Sequence, residues 1–371
     1  MNTRLNRSQV LMIGSAFVLD STLISKPSLV IRDLQSDFWQ GLLLGLLYGV
    51  AVTIAFTVLA SRFPRKDFFE GIIAGSPVLG RFVVAGYVLF FLGVLVRDIR
   101  SATDFVKVSL LTVTPLSVIA AMLGLCLILI ARHGKHSVAR MSQLWQPMLV
   151  VVLLLLPFFL ATSLSGEALL PLMQHRPRDV WFGGSHIFAY TGEVIGIFMI
   201  ATYRSWSFRF SLYSLFLGWG LLLVLTFAVV MSLGTEIPAR TFYPNYEVIR
   251  KIRLTDFLDR LDLPIIGIWL PAMIVKTSFG LYIAANGVTR IYPKLRLQGI
   301  AIILGAAATA TAIFAFGNSM QIFVFDRFWT PISAFFQLGM PVVLLLLVRK
   351  RKKPPTKSAA EMEQESSSPV Y

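Results

Sequence analysis

The chain predicts an all-α integral membrane protein of about ten transmembrane helices, arranged as a five-plus-five inverted repeat with broken helices 1 and 6. Three observations carry this. Only 14% of the 371 residues are charged and 56% are hydrophobic, whereas a soluble protein averages about 25% charged. Apolar runs of about 20 residues, enough to cross a bilayer, recur roughly ten times. Two of these runs are interrupted, at Val18-Leu19-Asp20-Ser21-Thr22 and at Ala189-Tyr190-Thr191-Gly192-Glu193. Each interruption places one carboxylate in apolar sequence, and paired interruptions in corresponding halves point to a transporter-type binding site.

The runs place spans at about 8–28, 38–60, 79–100, 111–131, 147–165, 181–203, 210–233, 263–286, 297–316 and 329–348. They are rich in Leu, Val, Ile and Phe without long alternation, which favours helices over a β-barrel. If spans 1–5 and 6–10 are two halves, five being odd makes the second half enter from the opposite side. Residues 1–348 then form one permease-like membrane domain. Residues 349–371 form a tail that opens on Arg349-Lys350-Arg351-Lys352-Lys353 and turns Pro-, Ser- and Glu-rich. Its composition predicts disorder, with the basic cluster on anionic membrane lipid or acting as a stop-transfer flank.

The net charge of +15 would suggest nucleic acid in a soluble protein. Here the basic residues lie between apolar runs, so no nucleic acid partner is expected. The termini together with the loops on their side hold about 19 Lys and Arg against about 13 opposite, five of those in one long loop, which predicts cytoplasmic termini. The one cysteine, Cys126, excludes an internal disulfide, and no cleavable signal peptide is evident. The long loop 234–262 carries Val248, Ile249, Ile252, Leu254, Phe257, Leu258 and Leu261 at near-helical spacing, which predicts an amphipathic surface helix from Tyr246 to Asp262.

A charge at mid-bilayer costs at least about 2.5–3.5 kcal/mol and normally faces a cavity or a partner. Asp20, Glu193 and Lys276 lie at such positions, whereas Arg81, Arg97 and Asp98 fall near predicted span ends and are expected to snorkel. A broken helix offers free N–H groups to a ligand carboxylate and free carbonyls to an ammonium. Val18, Asp20, Ser21, Thr22, Tyr190, Thr191, Gly192 and Glu193 are therefore candidate ligand-binding residues. Glu193 could bind an ammonium, carry a proton, or form a buried pair with Lys276. Lys276 could replace a bound cation or hold spans together. Tyr87, Phe91 and Phe279 are candidate pocket aromatics, though most aromatics in such helices serve packing. No metal, phosphate-loop or nucleophile motif is present, so neither catalysis nor a cofactor is expected.

A family pattern also runs through the chain. Its marks are Ser8-Gln9, Asp37-Phe38-Trp39, Arg62-Phe63-Pro64, Phe69-Glu70, Thr114-Pro115-Leu116, Tyr190, Gly192-Glu193, Tyr243-Pro244, Asp256-Phe257, Arg260-Leu261-Asp262 and Trp269. In this order and spacing the chain resembles, from about Leu5 to Arg349, the B subunits of spore germinant receptors, within the amino acid–polyamine–organocation superfamily. The resemblance implies the same inverted repeat and a place in the spore inner membrane. It implies a receptor A subunit and a lipoprotein C subunit as partners, with a small nutrient, often an amino acid, as ligand. It places the ligand region at Val18 to Thr22 and Tyr190 to Glu193. Small residues are usual at the first break, so Val18-Leu19-Asp20 is a departure, and its carboxylate could favour a cationic or amine-bearing ligand. A proton-coupled amino acid transporter of the same fold is the alternative function.

Overall fold

The computed structural model describes residues 5–63, 66–200, 208–252 and 262–347. Among them, seven helical runs are long and apolar enough to cross a membrane: Lys26–Ala60, Pro77–Ser109, Lys135–Phe159, Phe208–Leu233, Asp262–Ile291, Leu297–Phe314 and Met320–Leu347. Three shorter apolar helices, Arg7–Leu19, Leu116–Ala131 and Phe188–Met199, complete the set.

Ten spans result among the described residues. Span 1 is Arg7–Leu19 followed by Thr22–Leu34, and span 2 is Phe38–Ala60. Spans 3, 4 and 5 are Pro77–Ser109, Leu116–Ala131 and Lys135–Phe159. Span 6 is built of Pro177–Ser185, Phe188–Thr191, a tight 3-10 stretch Gly192–Ile195, and Gly196–Ile200. Spans 7, 8 and 9 are Phe208–Leu233, Asp262–Ile291 and Leu297–Phe314. Span 10 is Met320–Ala334, a π turn Phe335–Gly339, and Met340–Leu347. The near end of the bundle holds Arg7 and Leu347, and the far end holds the turn between spans 1 and 2.

Both interruptions have local causes. Span 1 turns at Asp20-Ser21, and Pro27 follows inside its second half. A proline lacks the N–H that would bond the carbonyl four residues earlier. That carbonyl, on Leu23, instead accepts the side-chain amide of Asn245. The Asp20 carbonyl accepts Trp269 Nε1 at 3.0 Å. In span 6, the helix tightens at Gly192 and the Ala189 carbonyl accepts Gln337 Nε2 at 2.6 Å. These free carbonyls at both breaks are thus satisfied by other elements, the condition for irregular backbone at membrane depth.

Span 6 lies against a stripe of small residues on span 2. A Cβ on Gly41 would approach Gly184 Cα at 3.2 Å, one on Gly45 would meet Ile187 Cγ2 at 2.4 Å, and one on Gly49 would meet Thr191 Cγ2 at 2.6 Å. Small residues every four positions let helix backbones approach closely in lipid.

Several boundaries differ from expectation: span 1 runs on to Leu34 and not 28, and span 5 covers Lys135–Phe159 and not 147–165. Span 3 runs to Ser109 and not to about 100, because its charges are buried and paired: Arg100 Nε donates to Asp104 Oδ2 at 3.0 Å, and Nη1 donates to the Phe316 carbonyl at 2.8 Å. Span 10 starts at Met320, ahead of the expected 329, with Asp326 buried inside it. The loop helix covers Pro244–Lys251 and buries Val248 and Ile249, with Ile252 extended. The remainder of the expected amphipathic helix, 253–261, and the tail 349–371 lie outside the described residues.

Candidate functional site

Seven charged side chains meet in the middle of the bundle. Span 3 contributes Arg97 and Asp98, span 6 Glu193, span 8 Lys276, span 1 Asp20 and Lys26, and span 10 Asp326, all buried. The helix geometry explains the grouping: each carboxylate or cation sits on the face of its span turned away from lipid, where an isolated charge would be costly.

Four of these groups form a closed ring. Glu193 Oε1 accepts Arg97 Nη2 at 2.6 Å, and Oε2 accepts Lys276 Nζ at 2.7 Å. Asp98 Oδ1 accepts Arg97 Nη2 at 2.6 Å, and Asp98 Oδ2 accepts Lys276 Nζ. Lys276 also donates to Ser21 Oγ at 2.8 Å, which ties the ring to the break in span 1. Two cations and two carboxylates therefore compensate one another, with Phe17 5.9 Å from Lys276 Nζ by its ring centre. A second layer lies toward the far end. Lys26 pairs with Asp326, whose Oδ1 accepts Tyr190 OH at 2.7 Å. The Tyr190 ring centre lies 4.0 Å from Arg97 Cζ and 4.4 Å from Lys26 Nζ, so this one ring joins the two layers.

Two buried atoms at this centre have no hydrogen-bond partner: Arg97 Nη1, a donor, and Asp20 Oδ2, an acceptor. Asp20 Oδ1 accepts Gln146 Nε2 of span 5 at 3.1 Å. Gly280 lies one turn from Lys276, is buried, and has open space where a Cβ would stand. Among the described residues no group of His, Cys, Asp and Glu could hold a metal ion.

The candidates from sequence divide into three sets. Asp20, Ser21, Tyr190, Glu193 and Lys276 come together at the centre, with Phe279 on Phe17 at a ring separation of 6.4 Å. Thr22, Thr191 and Val18 point elsewhere: the hydroxyls return to the carbonyls of Val18 and Ile187, and Val18 packs on Gly218 of span 7. Gly192 permits contact with span 10, since a Cβ there would stand 2.0 Å from Gln337 Oε1. Tyr87 donates to the Phe336 carbonyl at 2.9 Å and packs among Phe56, Phe68 and Phe69, while Phe91 packs edge-on against Phe90. These two aromatics belong to the packing of spans 3 and 10, away from the charged ring.

Arg97 and Asp98 correct the expectation of snorkelling: both are buried and complete the ring. Lys26, Asp326, Gln146 and Gln337 are not evident as site residues from sequence. Pro27 beside Lys26 and the Phe- and Trp-rich stretch around Asp326 were the available signals.

Comparison with known proteins decides the family. The model of the spore germination protein family matches residues 4–319. The chain belongs to the spore germination protein family. A family relative, YfkT of Bacillus subtilis (strain 168), carries the name of a spore germination protein. It is 28% identical over 336 residues, covering 91% of this chain and 94% of YfkT. Among solved structures, the nucleobase-cation-symport-1 transporter Mhp1, closed on bromovinylhydantoin, superposes with a TM-score of 0.67 at 13% identity, over 95% of this chain and 80% of Mhp1. MhsT in complex with L-phenylalanine gives 0.65 at 19% identity, over 92% of this chain and 89% of MhsT. A Na+-coupled sialic acid symporter gives 0.60 at 11% identity, over 95% and 92%. At these identities the likeness concerns the fold, the five-plus-five inverted repeat of transporters. The germination protein is thus a permease-like, multi-pass membrane protein and not an enzyme.

Proposed function

We propose that this permease-like protein is the B subunit of a nutrient germinant receptor. It binds a small amine- and carboxylate-bearing nutrient, an amino acid, at the breaks of spans 1 and 6. The observation that carries the reading is the pair of unpartnered buried atoms of opposite character, Arg97 Nη1 and Asp20 Oδ2, beside the ring of Arg97, Asp98, Glu193 and Lys276. An unsatisfied buried polar atom costs roughly 1–3 kcal/mol, and a ligand carboxylate at Arg97 with an ammonium at Asp20 removes both penalties. On this reading the protein resides in the spore inner membrane with both termini cytoplasmic, and works with a receptor A subunit and a lipoprotein C subunit.

A second reading, proton-coupled amino acid transport, draws on the charge count. Among the described residues, the buried set at the centre holds four carboxylates (Asp20, Asp98, Glu193, Asp326) against three cations (Lys26, Arg97, Lys276), a difference that a co-carried proton would balance.

Spores lacking the gene, challenged with a panel of amino acids, sugars and nucleosides, separate the two. Loss of response to one nutrient with unchanged vegetative uptake supports the receptor. Normal germination with reduced uptake by growing cells favours transport. In spores that respond to one nutrient, Glu193→Gln should weaken the response at least about tenfold while leaving protein level intact. Wild-type sensitivity in that variant would remove Glu193 from the site.

A further inference from the structure

A cavity of about 730 Å³ opens at the far end of the bundle, apart from the charged ring. Its size suits a small organic molecule. It is lined by Phe242, Tyr243, Tyr246, Glu247 and Arg250 around the loop helix, and by Asp262 at the start of span 8. Among the described residues the lining holds two carboxylates and one guanidinium, and that guanidinium lies 3.6 Å from Glu247 and 5.6 Å from the Tyr246 ring centre. Aromatic faces combined with carboxylates recognise organic cations.

Side chains packed behind this cavity also hold the break in span 1. Tyr243 and Tyr246 stand edge-on to Phe105, with ring centres 5.2 and 5.5 Å away. Phe105 in turn stands edge-on to Trp269 at 5.0 Å. Trp269 Nε1 donates to the Asp20 carbonyl, and Asn245, between Tyr243 and Tyr246 in sequence, donates to the Leu23 carbonyl that Pro27 leaves free. Both carbonyls at the break are therefore held by Trp269 and Asn245, which stand behind the lining residues Tyr243 and Tyr246 and do not themselves line the cavity.

We propose that this far-end cavity is a second ligand site, for a small organic cation such as a primary or quaternary amine, whose occupancy stiffens the break in span 1 through Trp269 and Asn245. The proposal goes beyond the central-site reading and does not depend on it.

Isothermal titration of choline chloride into the full-length protein in lipid nanodiscs, against sodium chloride at equal ionic strength, tests it. Saturable binding in the millimolar range or tighter is expected. Glu247→Gln and Asp262→Asn should each weaken it at least about fivefold. Glu193→Gln should leave it unchanged, which separates this site from the central one. Hydrogen exchange over residues 18–24 should slow on choline addition. In Trp269→Phe that slowing should shrink with choline affinity retained. Absence of saturable binding, or equal affinity in both cavity variants, overturns the site. Exchange that does not respond to choline in the wild type overturns the coupling.

Discussion

Arg97 shows how a single side chain can be placed by its neighbours on two spans: Asp98 beside it, Glu193 on span 6, and Tyr190, also on span 6, stacked on its plane. Breaking a buried pair by removing one partner typically costs about 3–5 kcal/mol, because the other charge loses its compensation. Asp326→Asn takes away the carboxylate paired with Lys26 and should lower stability by about that amount, read as a large drop in unfolding temperature in detergent. Gly192→Ala presses a methyl into Gln337 and should cost about 1–3 kcal/mol in the same assay, with Gln337→Ala recovering part of it. Glu193 and Lys276 were legible in the sequence because each is a lone charge in a long apolar run. Arg97 and Asp98 were not, because Arg100, Asp104 and Lys107 follow within the same helix and the falling hydropathy imitated a membrane exit. Hydropathy registers the presence of charge but cannot register that each charge has a buried partner on another span.

Among elements, the turn between spans 1 and 2 has a defined job. Asp37 accepts the backbone N–H groups of Met173 at 2.5 Å, Gln174 at 2.7 Å and His175 at 2.9 Å, together with His175 Nδ1 at 3.0 Å. Burial pushes the Asp37 carboxyl up, but these donors outweigh it and hold the group below its ordinary value. The sign follows from linkage: a depressed folded value gives stabilisation that is fully present above the unfolded value, about 3.9, and is lost as pH falls through the folded one. The loop 170–175 should therefore stay protected at neutral pH and open under acid. Asp37→Asn should open it at neutral pH, measured as amide exchange at Met173 to His175 relative to intrinsic rates. Exchange in the variant equal to wild type at neutral pH would show that Asp37 does not hold the loop. Elements of uniform apolar sequence, such as spans 2 and 7, were legible nearly to the residue. Span 10 was not, since its π turn and buried Asp326 break the hydropathy pattern while Gln337 gains its place on the Ala189 carbonyl.

For the whole molecule, the matched interruptions point to the inverted repeat from sequence, because a carboxylate inside each of two equivalent spans is costly unless it faces a cavity or a partner. The far-end cavity could not be read, since it depends on residues far apart in sequence, such as Val108, Tyr243, Asp262 and Ser319, meeting in one wall. Deleting residues 354–371 should leave membrane insertion and ligand sensitivity unchanged, checked by membrane fractionation and a germination dose curve. Loss of either would give that tail a role. On the receptor reading proposed above, the self-paired ring would also set a detection threshold. Glu193 and Asp98 already pair with Arg97 and Lys276, so a ligand entering there would gain only the surplus of its contacts over those it displaces. A ligand shifts a two-state equilibrium only by its differential affinity, and a swing from 1:99 to 99:1 needs about 10⁴-fold. On that reading weak chemical look-alikes would fall short, and only a molecule matching both orphaned atoms would shift the protein.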